Sequence, residues 1–187
     1  TLVLATPASA LVFGGAGDPS VSAYDVHDEA GEQVLHLPSL AVPRDKRFKY
    51  DLNGDNCMAR WARIPANHKG PVDVVIHFHG HEPIRKEFVK TAKGMVLVGI
   101  DLGIGSGAYQ NGFASPQTFT KLVASVEAEM ARRSGNAKAH ARKIGLSAWS
   151  AGYGAIDQIL RQTGGKNIDA VILLDSLHAG YENEQAK

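Results

Sequence analysis

The stretch that decides the fold is Lys143–Leu160, which reads KIGLSAWSAGYGAIDQIL. Its first part is an apolar run that leads into a small-x-Ser-x-Gly turn, and Ala155–Leu160 has the character of a helix. Ala148 and Gly152 stand two positions either side of Ser150, where a tight turn leaves room only for small residues. The stretch therefore predicts a strand, a sharp turn that projects the Ser150 hydroxyl above a sheet, and a helix.

Serine and glycine are also common in turns whose role is only structural, so this motif alone does not establish a function. The sequence on either side of the motif gives further support for a functional role. Upstream, residues 71–81 read PVDVVIHFHGH, an apolar run typical of a buried strand in a parallel sheet. Downstream, residues 168–175 read IDAVILLD, a second apolar run that ends in Asp175. In open α/β sheets the functional residues lie at the carboxyl ends of the strands, and Asp175 stands at such an end. Asp175 could instead cap a helix.

The pattern along the chain predicts an α/β fold with antiparallel front strands followed by parallel βα units. Residues 1–65 contain short β-like runs, including a hairpin signal at Asn53-Gly54 between 47–50 and 57–64. From residue 71 we expect strand 72–79, helix 83–93, strand 95–101, loop 102–115, helix 116–133, strand 142–148, helix 151–163 and strand 169–175.

The run around Ser150 resembles the nucleophile elbow of the α/β-hydrolases, with Ala148 in place of the first glycine of that family's motif. The resemblance covers roughly residues 10–180 and implies a three-layer sandwich. It also implies that Ser150 is the nucleophile and that Asp175 is the acid, placed as in the pancreatic-type lipases. The N–H groups of His81 and Ala151 would form the oxyanion hole, with Gly80 allowing close approach of the backbone.

The same resemblance implies acyl transfer on a carboxylic ester, with a peptide or amide as the alternative substrate. No cofactor is expected, and the partner would be a small-molecule or peptide substrate. Residues expected to contact the substrate are His79, Trp149 and Tyr109. Tyr109 and Phe113, in the glycine-rich loop 101–113, would wall an apolar pocket or pin that loop to the core.

The general base is the hardest residue of the triad to identify, because the family places its histidine on a loop after the acid. His178 follows Asp175 by only three positions, which is poorly suited to bridging Asp175 and Ser150. We therefore expect the true base to lie beyond Lys187. Residues 1–187 would then be a single, incomplete domain, completed by a second polypeptide or a C-terminal segment and nearly inactive alone.

Two rival interpretations of the function remain open at this stage, and a third is disfavoured. His77, His79 and His81 alternate as metal ligands can, so a metallohydrolase is an alternative, with His178 as a further ligand. A hydrolase-like binding protein without turnover is another. A calcium loop at 51–56 is disfavoured, because Ala62 stands where the bidentate glutamate is needed.

Composition sets wider bounds on the function. The chain has 187 residues, 44% of them hydrophobic, and a formal net charge of +1, so nothing indicates nucleic acid or an anionic membrane as a partner. Cys57 is the only cysteine, which excludes a disulfide within the chain. Residues 1–10 resemble the end of a secretory signal but are too short to span a bilayer, so a secreted or periplasmic location is favoured over a cytoplasmic one.

Overall fold

The computed structural model describes residues 26–27, 33–35, 57–61, 68–80, 84, 87–88 and 91–176. The predicted turn at Asn53-Gly54, the loop 51–56 and the first ten residues lie outside these ranges. So do His81 and His178.

Seven strands of the described residues form one sheet in the order β1-β2-β3-β5-β4-β6-β7. Their bounds are β1 Val26–His27, β2 Gln33–Leu35, β3 Cys57–Trp61, β4 Val72–Phe78, β5 Met95–Ile100, β6 Ala141–Trp149 and β7 Ala170–Leu174. The first three strands pair antiparallel, and β3 also runs antiparallel to β5. The strands β5, β4, β6 and β7 are all mutually parallel. The mixed α/β class is therefore confirmed.

Strand β4 lies inside the sheet between β5 and β6 and is almost entirely buried. β5 is buried in the same way. Strands with both faces covered have continuous apolar sequences, and VDVVIHF and MVLVGI both have that form. Strand β7 is one of the two described edge strands, the other being β1, and its last two residues, Leu173 and Leu174, are exposed.

Three described α-helices accompany the parallel strands: α1 Ser106–Gly112, α2 Pro116–Ser134 and α3 Tyr153–Thr163. The Ser115 side chain accepts a hydrogen bond from the Gln117 N–H, and Pro116 starts α2 with a backbone already suited to a helix. Gly135 ends α2 in the left-handed conformation. The prediction of a helix at 116–133 is confirmed, whereas the prediction that 102–115 is entirely loop is wrong, because α1 lies within it.

One hydrophobic core joins the helices to the sheet. Phe119, Leu122 and Val126 of α2 and Ile156 and Ile159 of α3 are buried in the same cluster as the β4, β5 and β6 side chains. Six residues of the predicted helix near 83–93 are described: Ile84, Glu87, Phe88 and Thr91 are helical, whereas Ala92 and Lys93 are not. The helices thus cover the parallel strands and leave the strand tips at one edge of the sheet as the place where loops meet.

The single cysteine gives a direct test of this core. Cys57 begins β3, is 6% exposed and is not in a disulfide. Burial raises the pKa of its thiol, so the reactive thiolate is not formed at neutral pH. We expect iodoacetamide at pH 8 to leave Cys57 unmodified in the native protein and to alkylate it fully in denaturant, as read by intact mass. Rapid alkylation of the native protein would contradict this packing of β3.

Candidate functional site

The order in which the chain adds parallel strands to the sheet reverses at β4. From β4 the chain passes to β5 on one side, and it then crosses to β6 on the other side of β4. The loops that leave β4 and β6 therefore diverge and open a crevice outside the carboxyl ends of these two strands. In open α/β sheets, ligands bind at such a crevice.

Four sequence positions lie at successive strand tips along this edge. In sheet order they are Asp101 after β5, His79-Gly80 after β4, Ser150 after β6 and Asp175 after β7. Trp149 pairs with Leu174, so Ser150 and Asp175 follow directly on neighbouring strands. Adjacent strands lie about 4.8 Å apart, so the chain brings these residues to one short edge although they are far apart in sequence.

Ser150 occupies a sharply bent turn between β6 and α3. Trp149 is still extended, with φ −107°, whereas Ser150 has φ 43° and begins a 3-10 turn, Ser150–Gly152, that leads into the helix. A non-glycine residue in this left-handed region costs about 1–3 kcal/mol, and such strain persists only where the surrounding structure holds it. Among the described residues, no group forms a hydrogen bond with the half-buried Ser150 hydroxyl.

Close packing around two glycines holds this turn in place. A Cβ on Gly152 would overlap the carbonyl oxygen of Phe78, so only glycine lets the turn reach the end of β4. A Cβ on Gly154 would lie 2.5 Å from the Ser106 carbonyl oxygen, where α3 meets the start of α1. Ala148, at the first small position of the motif, is completely buried. Gly152, at the second small position, is required by packing.

The tip of β4 lies against the residue that precedes Ser150. The His79 ring stacks on the Trp149 ring, with a centroid separation of 5.4 Å and an angle of 18°. Both His79 and Gly80 have positive φ, 69° and 65°, and a Cβ on Gly80 would overlap the Trp149 ring. Gly80 is therefore required at this contact, and the His79-Gly80 tip lies beside the Ser150 turn.

A hydrogen-bonded group not recognised in the sequence supports this tip. The Asp101 carboxylate accepts hydrogen bonds from the Tyr109 hydroxyl at 2.9 Å, the Gly103 N–H at 3.1 Å and the Gly80 N–H at 3.3 Å. The Tyr109 oxygen also lies 2.9 Å from His79 Nδ1. Asp101 stands at a strand tip just as Asp175 does, so the rule that selected Asp175 would also have found Asp101.

Tyr109, which was expected to contact the substrate, belongs to the hydrophobic core in this structure. Its ring and that of Phe113 are completely buried, and Phe113 packs edge-on against Phe78 at 5.1 Å. The two aromatic residues thus pin α1 to the core, which was the other interpretation of this segment. By contrast, Trp149 is 43% exposed, and His79 retains part of its surface, so both remain available at the crevice.

The alternating histidines do not share one environment. His77 is completely buried within β4, and its Nδ1 lies 2.9 Å from the hydroxyl of Ser147 on the neighbouring strand. His79 lies beyond the strand end and contacts Tyr109 instead. In the part of the chain that the structure describes, no cluster of three or more His, Cys, Asp or Glu side chains is arranged to hold a metal ion.

The tip of β7 has a backbone conformation like that of the β6 tip. Asp175 is exposed and has φ 48°. The next residue, Ser176, is buried, and its hydroxyl donates to the carbonyl oxygens of Leu174 and Ala148 at 2.9 and 3.2 Å. Ser176 therefore ties the end of β7 to β6, while within the described residues the Asp175 carboxylate has no hydrogen-bond partner.

A separate cavity of about 600 Å³ lies at the opposite end of β6. Its walls are α2, the first residues of β6 and the loop after α3, including Phe119, Glu127, Lys143 and Asp169. Two of its carboxylates accept backbone hydrogen bonds, Glu127 from Ala141 N–H and Asp169 from Ile144 N–H. This cavity is remote from the strand tips and contains none of the predicted site residues.

No protein-family model matches the sequence, and no curated protein matches it at a significant level. Within the described ranges, none of the helices is both long and apolar enough to cross a membrane.

The packing around the Ser150 turn predicts unequal effects of two alanine substitutions in the same segment. Gly152→Ala places a Cβ against the Phe78 backbone, which cannot yield as a flexible side chain can, so we expect a loss of about 3 kcal/mol in unfolding free energy. Gly145→Ala is the matched control, because its nearest contact would be an ordinary 3.7 Å to Val75. Urea unfolding of both variants measures the difference, and equal stability would contradict the close approach of the turn to β4.

Proposed function

We propose that the protein is a serine hydrolase of the α/β-hydrolase fold that acts by acyl transfer on carboxylic esters. The observation that carries the proposal is the strained Ser150 turn, with φ 43°, between a parallel strand and a helix at the crevice of the sheet. A nucleophilic serine needs this rigid placement at a strand end so that its hydroxyl can reach a bound carbonyl carbon.

The oxyanion that forms on attack needs N–H donors that are already in place. Ala151 N–H belongs to the first turn of the helical segment after Ser150, where backbone N–H groups have no partner within the helix. The second donor would be the His81 N–H, just past the β4 tip. The Gly80 N–H is bonded to Asp101, so Gly80 would act through its conformation and not as a donor. Each such donor is worth about 3 kcal/mol to the transition state.

Asp175 is the acid of the proposed mechanism, and its support is its position beside Ser150. It follows β7 as Ser150 follows β6, and its carboxylate is exposed to receive a partner. In the triad mechanism this acid holds a histidine in the orientation and tautomer that accept the serine proton.

We further propose that this histidine comes from a segment or polypeptide other than residues 1–187. His178 follows Asp175 too closely for the two side chains to bridge to Ser150 in the usual loop-to-loop arrangement. His178→Ala should therefore leave the rate of the native protein unchanged. A loss as large as that of a Ser150 variant would instead identify His178 as the base.

The ester preference is supported by an apolar surface beside Ser150. Trp149 and Leu174 are register partners on β6 and β7, so their side chains project from the same face of the sheet, and they are 43% and 37% exposed. Such a surface suits the apolar acyl or alcohol part of an ester better than a charged peptide.

The proposal is tested by labelling the native protein with a fluorophosphonate and locating the adduct by peptide mass spectrometry. We expect the adduct on Ser150, and we expect Ser150→Ala to lose labelling and to hydrolyse p-nitrophenyl butyrate at least about 10³-fold more slowly. The fold should persist, because the substitution removes only an oxygen.

Ser147→Ala is the control for this experiment. It removes the hydroxyl of a serine in β6, three positions before Ser150, that is buried and hydrogen-bonded to His77. This variant should still be labelled at Ser150. Hydrolysis that survives Ser150→Ala in folded protein would refute the serine mechanism.

A further inference from the structure

The Tyr109 hydroxyl joins three segments of the chain at the strand tips. It lies 2.9 Å from Asp101 Oδ1 and 2.9 Å from His79 Nδ1, and it accepts a hydrogen bond from the Leu102 N–H at 3.1 Å. The ring is completely buried, so the hydroxyl cannot turn to solvent for another partner. Asp101, Tyr109 and His79 therefore form one connected group, which also includes the Gly80 N–H bonded to Asp101.

The direction of each hydrogen bond follows from the available protons. The hydroxyl carries a single proton, and burial together with the Asp101 charge raises the pKa of Tyr109, so that proton stays in place. Its acceptors are the Asp101 carboxylate at 2.9 Å and the Gly103 carbonyl at 3.2 Å. The shorter bond to a charged acceptor is the stronger one. The Tyr109 proton is thus directed to Asp101.

The state of His79 then follows. With its proton directed to Asp101, the Tyr109 oxygen can only accept from His79 Nδ1, so Nδ1 must carry a proton. The Asp101 carboxylate, 3.6 Å from Nδ1, favours the same arrangement. In neutral His79 the other ring nitrogen, Nε2, is then an acceptor, and no described residue donates to it. The partner of one ring nitrogen thus sets the chemistry of the other.

We propose that Asp101 and Tyr109 are positioning residues that hold the His79-Gly80 tip of β4 beside Ser150 and fix the His79 proton on Nδ1. This inference rests on the proposed serine chemistry. Asp101 binds the Gly80 N–H directly, and Tyr109 binds the His79 ring, which in turn stacks on Trp149. Together they hold the His79-Gly80 end of β4 against Trp149, the residue that precedes Ser150.

A positioning role differs from a merely structural one in what it does to catalysis. Tyr109→Phe keeps the buried ring and removes only the hydroxyl, and Asp101→Asn keeps the side-chain shape but loses an acceptor for one N–H. A shift of the His79-Gly80 tip beside Ser150 disturbs the wall of the crevice in which the reacting group must be held, so it weakens binding of the transition state more than binding of the ester. We therefore expect each variant to lower kcat for p-nitrophenyl butyrate about 10- to 100-fold while KM changes less than about 3-fold.

Ile159→Val controls for lost stability, because Ile159 is a fully buried α3 residue with no part in this hydrogen-bonded group. The variants are compared with it after their melting temperatures have been measured. The control should keep the kcat of the native protein. Values of kcat for Tyr109→Phe and Asp101→Asn within twofold of the control would overturn the positioning role.

The second measurement is made on the native protein and uses a variant only to assign a signal. Two-dimensional ¹⁵N NMR of the histidine rings in the native protein, with His79 assigned by its loss in His79→Gln, reports which nitrogen carries the proton. We expect the Nδ1–H tautomer, and the Nε2–H tautomer would overturn the inference. The tautomer is independent of turnover, whereas Ser150→Ala reports on the serine chemistry alone, so failure of one proposal is distinguished from failure of the other.

Discussion

The contact between Gly152 and the carbonyl of Phe78 is the constraint on which the site depends. A side chain as small as that of alanine would place its Cβ inside the contact distance of that oxygen. The chain that leaves β6 is therefore pressed against the end of β4, and Ser150 is forced into the left-handed conformation between them. The strain is local, but the packing that sustains it involves β4, β6 and the first turn of α3, so the geometry of Ser150 is a property of the sheet.

The strand order gives this strained turn its significance. Because β5 and β6 lie on opposite sides of β4, the crevice opens beside Ser150 and the His79-Gly80 tip. Asp101 and Asp175 stand at the outer two tips of the same edge, and they differ in environment. Asp101 is bonded to Tyr109 and to two backbone N–H groups, whereas Asp175 is exposed. The hydrogen-bonded Asp101 carboxylate is suited to holding the neighbouring loops in place. The exposed Asp175 carboxylate is suited to binding the histidine of the proposed mechanism.

The sequence predicted the parallel half of the fold well, because each of its signals is local. The continuous apolar runs of β4 and β5 reflect burial on both faces, and Ser115, Pro116 and Gly135 mark the ends of α2 within a residue or two. Helix α1 was missed because SGAYQNG contains two glycines and an asparagine, which are poor helix formers. Its conformation is stabilised by the burial of Tyr109, a tertiary effect.

The candidate site was predictable in part, because Ser150 and the small residues around it form a local signal that is recognisable from its spacing. The role of Tyr109 was not predictable, because its hydroxyl bonds to His79, 30 positions away, and hydrogen bonds between distant positions leave no periodic signal.

The most direct test of the serine mechanism is a crystal structure of the native protein after reaction with an organophosphonate. We expect phosphorus bonded to Ser150 Oγ, Ser150 still at positive φ, and the phosphonyl oxygen within hydrogen-bond distance of the Ala151 N–H beside the Gly80 tip. An adduct on another residue would contradict the mechanism. So would a Ser150 adduct whose oxygen points away from both the helix start and the β4 tip.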